Sequence, residues 1–135
     1  MLRLKIISPE KTVLDAECKS VTMPTSEGQI TVLPRHAPIY ALVTAGEVIA
    51  RTTDRGDISL GVGSGFANIN QTSITLLANF GVLTDEIDEE RARQAKERAE
   101  SIINERRGKQ DEALATLELS RSLLELKLAR RRRSG

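Results

Sequence analysis

The side chains most able to do chemistry in this sequence are few and far apart. His36 is the only histidine and Cys18 the only cysteine among 135 residues, and His36 has no pair of carboxylates near it in sequence. A catalytic nucleophile needs a neighbouring base, and a metal ion needs several ligands. We therefore expect no catalytic residue, no metal site and no required cofactor. Cys18 has no internal disulfide partner, and we interpret it as a small, half-buried strand residue.

A glycine-rich run, GVGSG at residues 61–65, superficially resembles a nucleotide-binding loop. Such loops hold phosphate because they lead into the N-terminus of a helix. This run lies between two strand patterns and opens no helix, and neither Lys109 nor Lys127 follows a glycine-rich loop. The glycines therefore predict a bulge or a close approach of backbones within a sheet.

The N-terminal part of the chain has the two-residue period of β-strands. Leu2, Leu4 and Ile6 alternate with charged residues, and similar short runs recur between prolines, glycines and a polar turn at residues 54–57. Six or more strands separated by such turns are typical of an antiparallel sandwich or barrel. Residues 1–84 therefore predict an antiparallel β-sandwich with a thin aliphatic core.

Residues 85–135 change to the period of a helix. Asp88 is the predicted N-cap of a first helix that carries a narrow stripe of small residues, such as Ala92, and that ends at Gly108 as its C′ residue. A second helix, from about residue 110 to 130, should cover this stripe with leucines. The expected leucine stripes consist of Leu114, Leu117, Leu124 and Leu128, with Leu119, Leu123 and Leu126 beside them.

The short connection at Gly108 predicts an antiparallel helical hairpin. The fold class is therefore mostly β plus α, with the hairpin after the sandwich. A narrow stripe of alanines covers leucines only partly, so the hairpin should gain only a few kcal/mol net once the entropy of ordering is subtracted. An element with so small a margin is suited to a switch.

The composition argues against two other classes of function. Lys and Arg total 20 against 19 acidic residues, and only 2% of the residues are aromatic. Nucleic-acid binding normally draws on net positive charge and on aromatic stacking platforms. No apolar run approaches the length of about 18 residues needed to span a bilayer, and the charged N-terminus does not fit a signal peptide.

A corner bounded by two prolines joins two of the predicted strands. Pro34 and Pro38 have no amide hydrogen and fix their own φ, so neither fits inside a paired central strand. The corner should therefore be stiff and should present Arg35 and His36 rigidly. An interface role fits these two side chains better than metal binding or general-base catalysis.

Three motifs give the whole chain a resemblance to a known family. Residues 28–38 read GQITVLPRHAP, residues 65–67 read GFA, and residues 87–92 read IDEERA. These are similar to motifs of the epsilon subunits of F-type ATP synthases, which are called delta in mitochondria. One mild departure is Ser64, which stands where a glycine is usual in that family.

The resemblance implies a non-catalytic rotor subunit of the central stalk. In the family, the sandwich contacts the gamma subunit and the ring of membrane-embedded c subunits, and the helices restrain ATP hydrolysis. The implied location is peripheral, on the cytoplasmic face of the plasma membrane or the stromal face of a thylakoid, with membrane association only through the complex. Arg35 and His36 are carried over as interface candidates.

The motif at residues 87–92 further implies a regulatory ATP site. The residues that match it are Ile87, Asp88, Arg91 and Ala92. Arg98 is added because it lies seven residues from Arg91 on the same helical face, and Arg121 because it could meet them across the hairpin. Asp88 could accept a hydrogen bond from the adenine amino group, while the arginines bind phosphate or ribose oxygens. Family members that bind ATP tend to carry another arginine where this chain has Glu125. The alternative interpretation is a capped, solvated helix start.

The end of the chain is strongly basic. The tail residues are Arg130, Arg131, Arg132 and Arg133. The resemblance implies that the helices can extend along gamma, with Gly108 as the hinge, so that the basic tail meets an acidic loop of the catalytic beta subunits. Two alternatives remain: a free-standing β-sandwich binding module with a helical dimerisation arm, and a nucleic-acid binder that uses the arginine tail.

Overall fold

The computed structural model describes residues 1–106 and 108–134, and for residues 133 and 134 it describes the backbone only. Two compact units follow one another along the chain, Met1–Leu83 and Thr84–Gly135. The first is made of strands and the second of helices. The predicted antiparallel β-sandwich followed by a helical hairpin is confirmed.

The structure describes nine strands in residues 1–106, against the six or more that the sequence predicted. In chain order they are β1 Leu2–Ile7, β2 Thr12–Thr25, β3 Gly28–Val32, β4 Ile39–Val43, β5 Gly46–Thr52, β6 Asp57–Val62, β7 Gly65–Ile69, β8 Ser73–Ala78 and β9 Gly81–Leu83.

The long strand β2 makes the sheet fold over on itself. Its first half pairs with β1 and its second half with β3 and β5, so it belongs to both layers. The strands run in the order β1, β8, β7, β4, β2, β5, β6, β9, and β3 pairs with β2 beside this path. Among the strand pairs within residues 1–83, β1 and β8 alone are parallel. They are joined by a long connection, so no tight turn forces them to be antiparallel.

The core between the layers is aliphatic. Leu2, Leu4 and Ile6 are fully buried, while Arg3 and Lys5 between them face solvent. The same alternation places Ile74 and Leu76 of β8 inside. Cys18 is also completely buried rather than half-buried, because β2 is covered at this point by its partners in both layers. Burial raises the pKa of its thiol.

The glycine run at residues 61–65 serves close packing, as the sequence predicted. A Cβ built on Gly65 would lie 1.9 Å from the carbonyl oxygen of Leu77. One built on Gly63 would lie 1.6 Å from the Asn79 side chain and 2.7 Å from the Phe80 ring. Gly65 therefore excludes any side chain because the clash is with backbone, whereas a side chain at position 63 would force the Asn79 and Phe80 side chains to move. Neither glycine belongs to a phosphate-binding loop.

The second unit begins with a 3₁₀ turn, Thr84–Glu86, followed by α1 Glu89–Glu105 and α2 Lys109–Ser134. Asp88 is the N-cap of α1, as predicted, and its side chain accepts a hydrogen bond from the Arg91 amide. The predicted C-terminal boundary of α1 was wrong. Arg106 adopts the left-handed conformation at the C-cap, with φ 52°, so the helix ends before Gly108. Gly108, at φ 145°, instead directly precedes α2, and its carbonyl accepts a hydrogen bond from the Glu112 amide of that helix.

The two helices pack through small residues on both sides. Ala92 and Ala99 of α1 are buried, as expected. The expected leucine stripes of α2 are correct only at the C-terminal end of the helix, where Leu126 and Leu128 are buried; Leu114 and Leu117 are 62% and 43% exposed, so the prediction was wrong there. The other buried positions within residues 109–132 are Ala115, Ser122 and Ala129. Small residues on both helices allow their backbones to approach closely, and this leaves the N-terminal leucines of α2 outside the contact.

Candidate interaction surfaces and the charged helices

We call the first unit, Met1–Leu83, the β-unit and the second, Thr84–Gly135, the helical unit. A row of large apolar side chains lies on the outer face of the β-unit. Leu42 of β4 pairs with Phe66 of β7, and Phe66 pairs with Leu77 of β8, so the three stand side by side across three strands. Their exposed fractions are 55%, 59% and 50%. We call Leu42, Phe66 and Leu77 the apolar row. Tyr40 precedes Leu42 by two residues on the same face and is 82% exposed.

The opposite faces of the same strands are already used by the core. Val43, Ala67 and Leu76 each adjoin a member of the apolar row in sequence, and all three are buried. A sheet with one face on the core normally carries polar side chains on its other face. A contiguous set of aliphatic and aromatic side chains on that outer face is therefore a candidate protein-binding surface.

The proline corner lies at one end of these strands. The Arg35 amide donates a hydrogen bond of 2.8 Å to the carbonyl of Gln71, in the turn between β7 and β8. Arg35 has φ 70° and an exposed side chain, while His36 is partly buried with Nδ1 2.7 Å from the Ala37 carbonyl oxygen. The corner is thus anchored to the neighbouring turn, and it presents Arg35 to solvent.

Sequence reasoning selected the corner and missed the apolar row. A signal was present, because β4 and β8 contain adjacent apolar residues where a half-exposed strand should alternate. Leu76 and Leu77 are one such pair, and Leu42 and Val43 are another. When both faces of a strand are apolar, one face is available for a partner once the core has taken the other.

The residues proposed for ATP binding lie on both helices of the second unit. Ile87 and Ala92 are buried, Asp88 caps α1, and Arg91 is exposed. The structure therefore confirms the local role of Asp88 as a cap. It presents the Arg91 side chain to solvent at the start of α1.

The other two arginines of this set are already paired with carboxylates. Nη1 of Arg98 lies 3.6 Å from Oε1 of Glu118 across the hairpin. Nε of Arg121 donates a 3.0 Å hydrogen bond to Oε1 of Glu125, whose side chain is only 15% exposed. A phosphate group approaching these guanidinium groups would have to compete with both glutamates.

The basic tail forms the last turns of α2. Nη1 of Arg132 donates hydrogen bonds to two backbone carbonyls, that of Thr84 at 2.6 Å and that of Ile87 at 3.3 Å. Arg130 and Arg131 have exposed side chains. The side chain of Arg133, the fourth predicted tail residue, lies outside the described residues.

Neither a metal-binding cluster nor a membrane-spanning helix is present among the described residues. In residues 1–106 and 108–134, no three His, Cys, Asp or Glu side chains are grouped so that they could hold a metal ion. Over the same residues, no helix combines the length and the apolar character needed to cross a bilayer.

Comparison with known proteins places both units in one family. Residues 1–83 match the family described as "ATP synthase, Delta/Epsilon chain, beta-sandwich domain", and residues 85–130 match "ATP synthase, Delta/Epsilon chain, long alpha-helix domain". The "ATP synthase epsilon chain" of Moorella thermoacetica is 41% identical over 95% of this chain and 96% of its own length. That of Herpetosiphon aurantiacus is 32% identical over 98% and 97%. The chloroplastic chain of Phalaenopsis aphrodite is 36% identical over 90% of each.

Solved structures share the fold at lower sequence identity. A chain of the Euglena gracilis mitochondrial ATP synthase, from a structure of OSCP, F1 and c-ring, is similar with a TM-score of 0.65 and 20% identity, over 90% of this chain and 78% of that one. A chain of the Tetrahymena thermophila enzyme, from a structure of the central stalk and c-ring, has a TM-score of 0.53 and 14% identity, over 64% and 69%. Since both family matches and relatives of up to 41% identity cover nearly the whole sequence, the chain belongs to the epsilon subunit family of F-type ATP synthases.

Proposed function

We propose that this chain is a non-catalytic rotor subunit whose β-unit couples the gamma subunit to the c ring. The observation that carries this proposal is the apolar row of Leu42, Phe66 and Leu77, which leaves three large side chains half or more exposed on a rigid sheet. A rotor component must transmit torque, and a sheet whose other face packs against a close-packed core resists deformation. The chain then sits at the cytoplasmic or stromal face of its membrane and reaches that membrane only through the complex.

The apolar row supplies the binding energy in this proposal, and the corner supplies orientation. Exposed apolar side chains contribute when a partner covers them, whereas exposed charged groups add mainly specificity. Arg35 and His36, held by the corner, would set the register of the partner against the row. These roles predict that Phe66→Ser weakens gamma binding more than Arg35→Ala does.

Binding to the cognate gamma subunit tests this assignment directly. Purified chain should elute as a monomer on its own and should co-elute with gamma when the two are mixed. Phe66→Ser, on the apolar row, should weaken the co-elution with gamma, and Ser59→Ala on β6 is the control that should co-elute as the native chain does. A stable homodimer that covers the row without gamma, or a chain that never binds gamma, would refute the rotor assignment in favour of a free-standing binding module.

We further propose that the helical unit restrains ATP hydrolysis by the catalytic beta subunits. Apart from Ile87, Leu126 and Leu128, the buried apolar residues described in the unit are alanines, which bury little apolar area, so the helices can separate at modest cost. In the extended state the basic tail would meet acidic groups of the beta subunits. Removing residues 109–135 should leave the complex assembled and raise its ATPase rate. Unchanged hydrolysis after that truncation would contradict the inhibitory role.

The regulatory ATP site belongs to the same proposal. If ATP binds only the folded helices, a concentration one hundred times the Kd stabilises them by about 2.7 kcal/mol. In this chain the phosphates must displace the carboxylates of Glu118 and Glu125 from Arg98 and Arg121. Glu125→Gln should therefore bind ATP more tightly than the native sequence. An NMR titration that follows Arg91 and Arg121 tests this, and the absence of shifts at millimolar ATP in both proteins would exclude the site.

A further inference from the structure

The C-terminal turn of α2 is tied to the turn that begins the same unit. Arg132 lies 48 residues beyond Thr84 in sequence, yet its Nη1 atom is 2.6 Å from the Thr84 carbonyl oxygen and 3.3 Å from that of Ile87. The two hydrogens of a single guanidinium NH₂ group are enough for both bonds. The residue therefore joins the end of the chain to the start of the helical unit.

The Ile87 carbonyl needs such a donor because the helix does not provide one, whereas the Thr84 carbonyl also accepts a hydrogen bond from the Ile87 amide at 3.3 Å. Ile87 precedes the N-cap Asp88, and it is the Asp88 carbonyl that accepts the first bond of α1, from the Ala92 amide. The Ile87 carbonyl thus lies one residue too early for the helix ladder. Thr84 and Ile87 are both nearly buried. A buried carbonyl without a donor costs about as much as a lost hydrogen bond, so removing Arg132 leaves that penalty at Ile87 as well as the lost contact with Thr84.

The hydrogen bonds of Arg132 lie at the end of the hairpin opposite the connection between the two helices, where the helices would otherwise be free to separate. The connection between α1 and α2, around Gly108, already holds one end of the helix pair together. The Arg98 and Glu118 pair lies between the two ends, and it is well exposed to solvent, so it contributes little. Arg132 closes the end opposite the connection, which is the end at which two hairpin helices can separate.

We propose that Arg132 is a clasp that holds the helical unit in its folded state, and that opening of the unit begins with its release from Thr84 and Ile87. The clasp also keeps one arginine of the basic tail engaged while the helices are folded. The residue is then unavailable to any acidic partner until the unit opens. This inference goes beyond the proposed function, because it concerns the folded chain alone and holds whatever the chain binds.

Hydrogen exchange on the isolated full-length chain tests the clasp. Arg132→Gln removes the guanidinium, and Lys127→Gln is the matched control, since Lys127 is an exposed cation on the same helix and loses the same charge. Backbone amides in residues 124–134 should exchange at least about tenfold faster in Arg132→Gln, as expected for the loss of a charge-assisted hydrogen bond. The control should exchange at the native rate, and amides of β1 to β9 should be unchanged in both variants.

Each outcome of the comparison between Arg132→Gln and Lys127→Gln either supports the clasp or overturns it. Loss of the helical circular dichroism signal in Arg132→Gln alone would be the strongest form of the expected result, since the clasp would then be required for the folded unit. Equal exchange rates in Arg132→Gln and Lys127→Gln would overturn the proposal, because the effect would then come from charge alone or be absent. Neither measurement involves gamma or ATP hydrolysis, so a failure of the rotor assignment would leave this result unaffected.

Discussion

Two neighbouring leucines of β8 allow the binding surface and the core to be tested separately. Leu76 is completely buried, and Leu77 on the other face is 50% exposed as part of the apolar row. Each is replaced by alanine in turn, so the two variants lose the same atoms from adjacent positions of one strand. If the row is a gamma-binding surface, the two variants should fail in different assays.

The structure sets the size of both effects. Full burial of a leucine side chain contributes about 1.5 to 3 kcal/mol, and half of Leu77 is still in contact with water. Covering that half by gamma should therefore contribute about 1 kcal/mol, and Leu77→Ala should weaken Kd about fivefold. Its effect on the free energy of unfolding should be about 1 kcal/mol or less. Leu76→Ala leaves a cavity in the core and should cost about 2 to 5 kcal/mol of stability.

The assays are calorimetric titration with gamma and urea unfolding of the isolated chain. We expect Leu77→Ala to bind more weakly with nearly native stability, and Leu76→Ala to unfold at much lower urea while binding gamma with native affinity when folded. Native Kd for Leu77→Ala would refute the assignment of the apolar row as the gamma surface. Equal destabilisation by both variants would refute the assignment of the two faces of β8.

Three further predictions concern single positions. Gly108→Ala forces alanine to a φ of 145° in the folded hairpin, so it should destabilise that state by about 1 kcal/mol, measured as faster hydrogen exchange in α2 and as a larger extended fraction. Asp88→Ala removes the N-cap and should cost the helical unit about 1 kcal/mol in thermal unfolding followed by circular dichroism, whereas Asp111→Ala should not. Burial raises the pKa of the Cys18 thiol, so the folded state holds the thiol proton more tightly than the unfolded state does. The free energy of unfolding should therefore fall as the pH rises above about 9, and it should fall less in Cys18→Ala. A thiol reagent at pH 8 should react only with unfolded chain.

Local signals in the sequence predicted the features that depend on a few neighbouring residues. Asp88 was identifiable as an N-cap because its side chain needs only the amide of Arg91, three residues away. Gly65 was identifiable as a close-packing position because it lies in a strand pattern without a helix after it. Such features depend on backbone geometry within a few residues, and the sequence encodes that geometry directly.

The features that the sequence could not predict depend on neighbours far away in the chain. The strands around Leu42 and Leu77 are apolar on both faces, so only their pairing with Phe66 decides which side chains form one exposed row. Of the leucines predicted to line the contact in α2, Leu126 and Leu128 are buried but Leu114 is exposed, because the alanines of α1 favour small partners such as Ala115 there. The end of α1 at Arg106 depends on a left-handed conformation that a non-glycine residue rarely adopts, so no local signal indicated it.

The parallel pairing of β1 with β8 has a consequence for how the chain acquires its structure. Strand β1 cannot complete its place in the sheet until residues 73–77 have been synthesised. Contacts between such distant segments make folding slow, because the intervening chain must first be ordered. The β-unit should therefore form late and in one cooperative step, and a nascent chain that stops before β8 should remain open to proteases along its whole length.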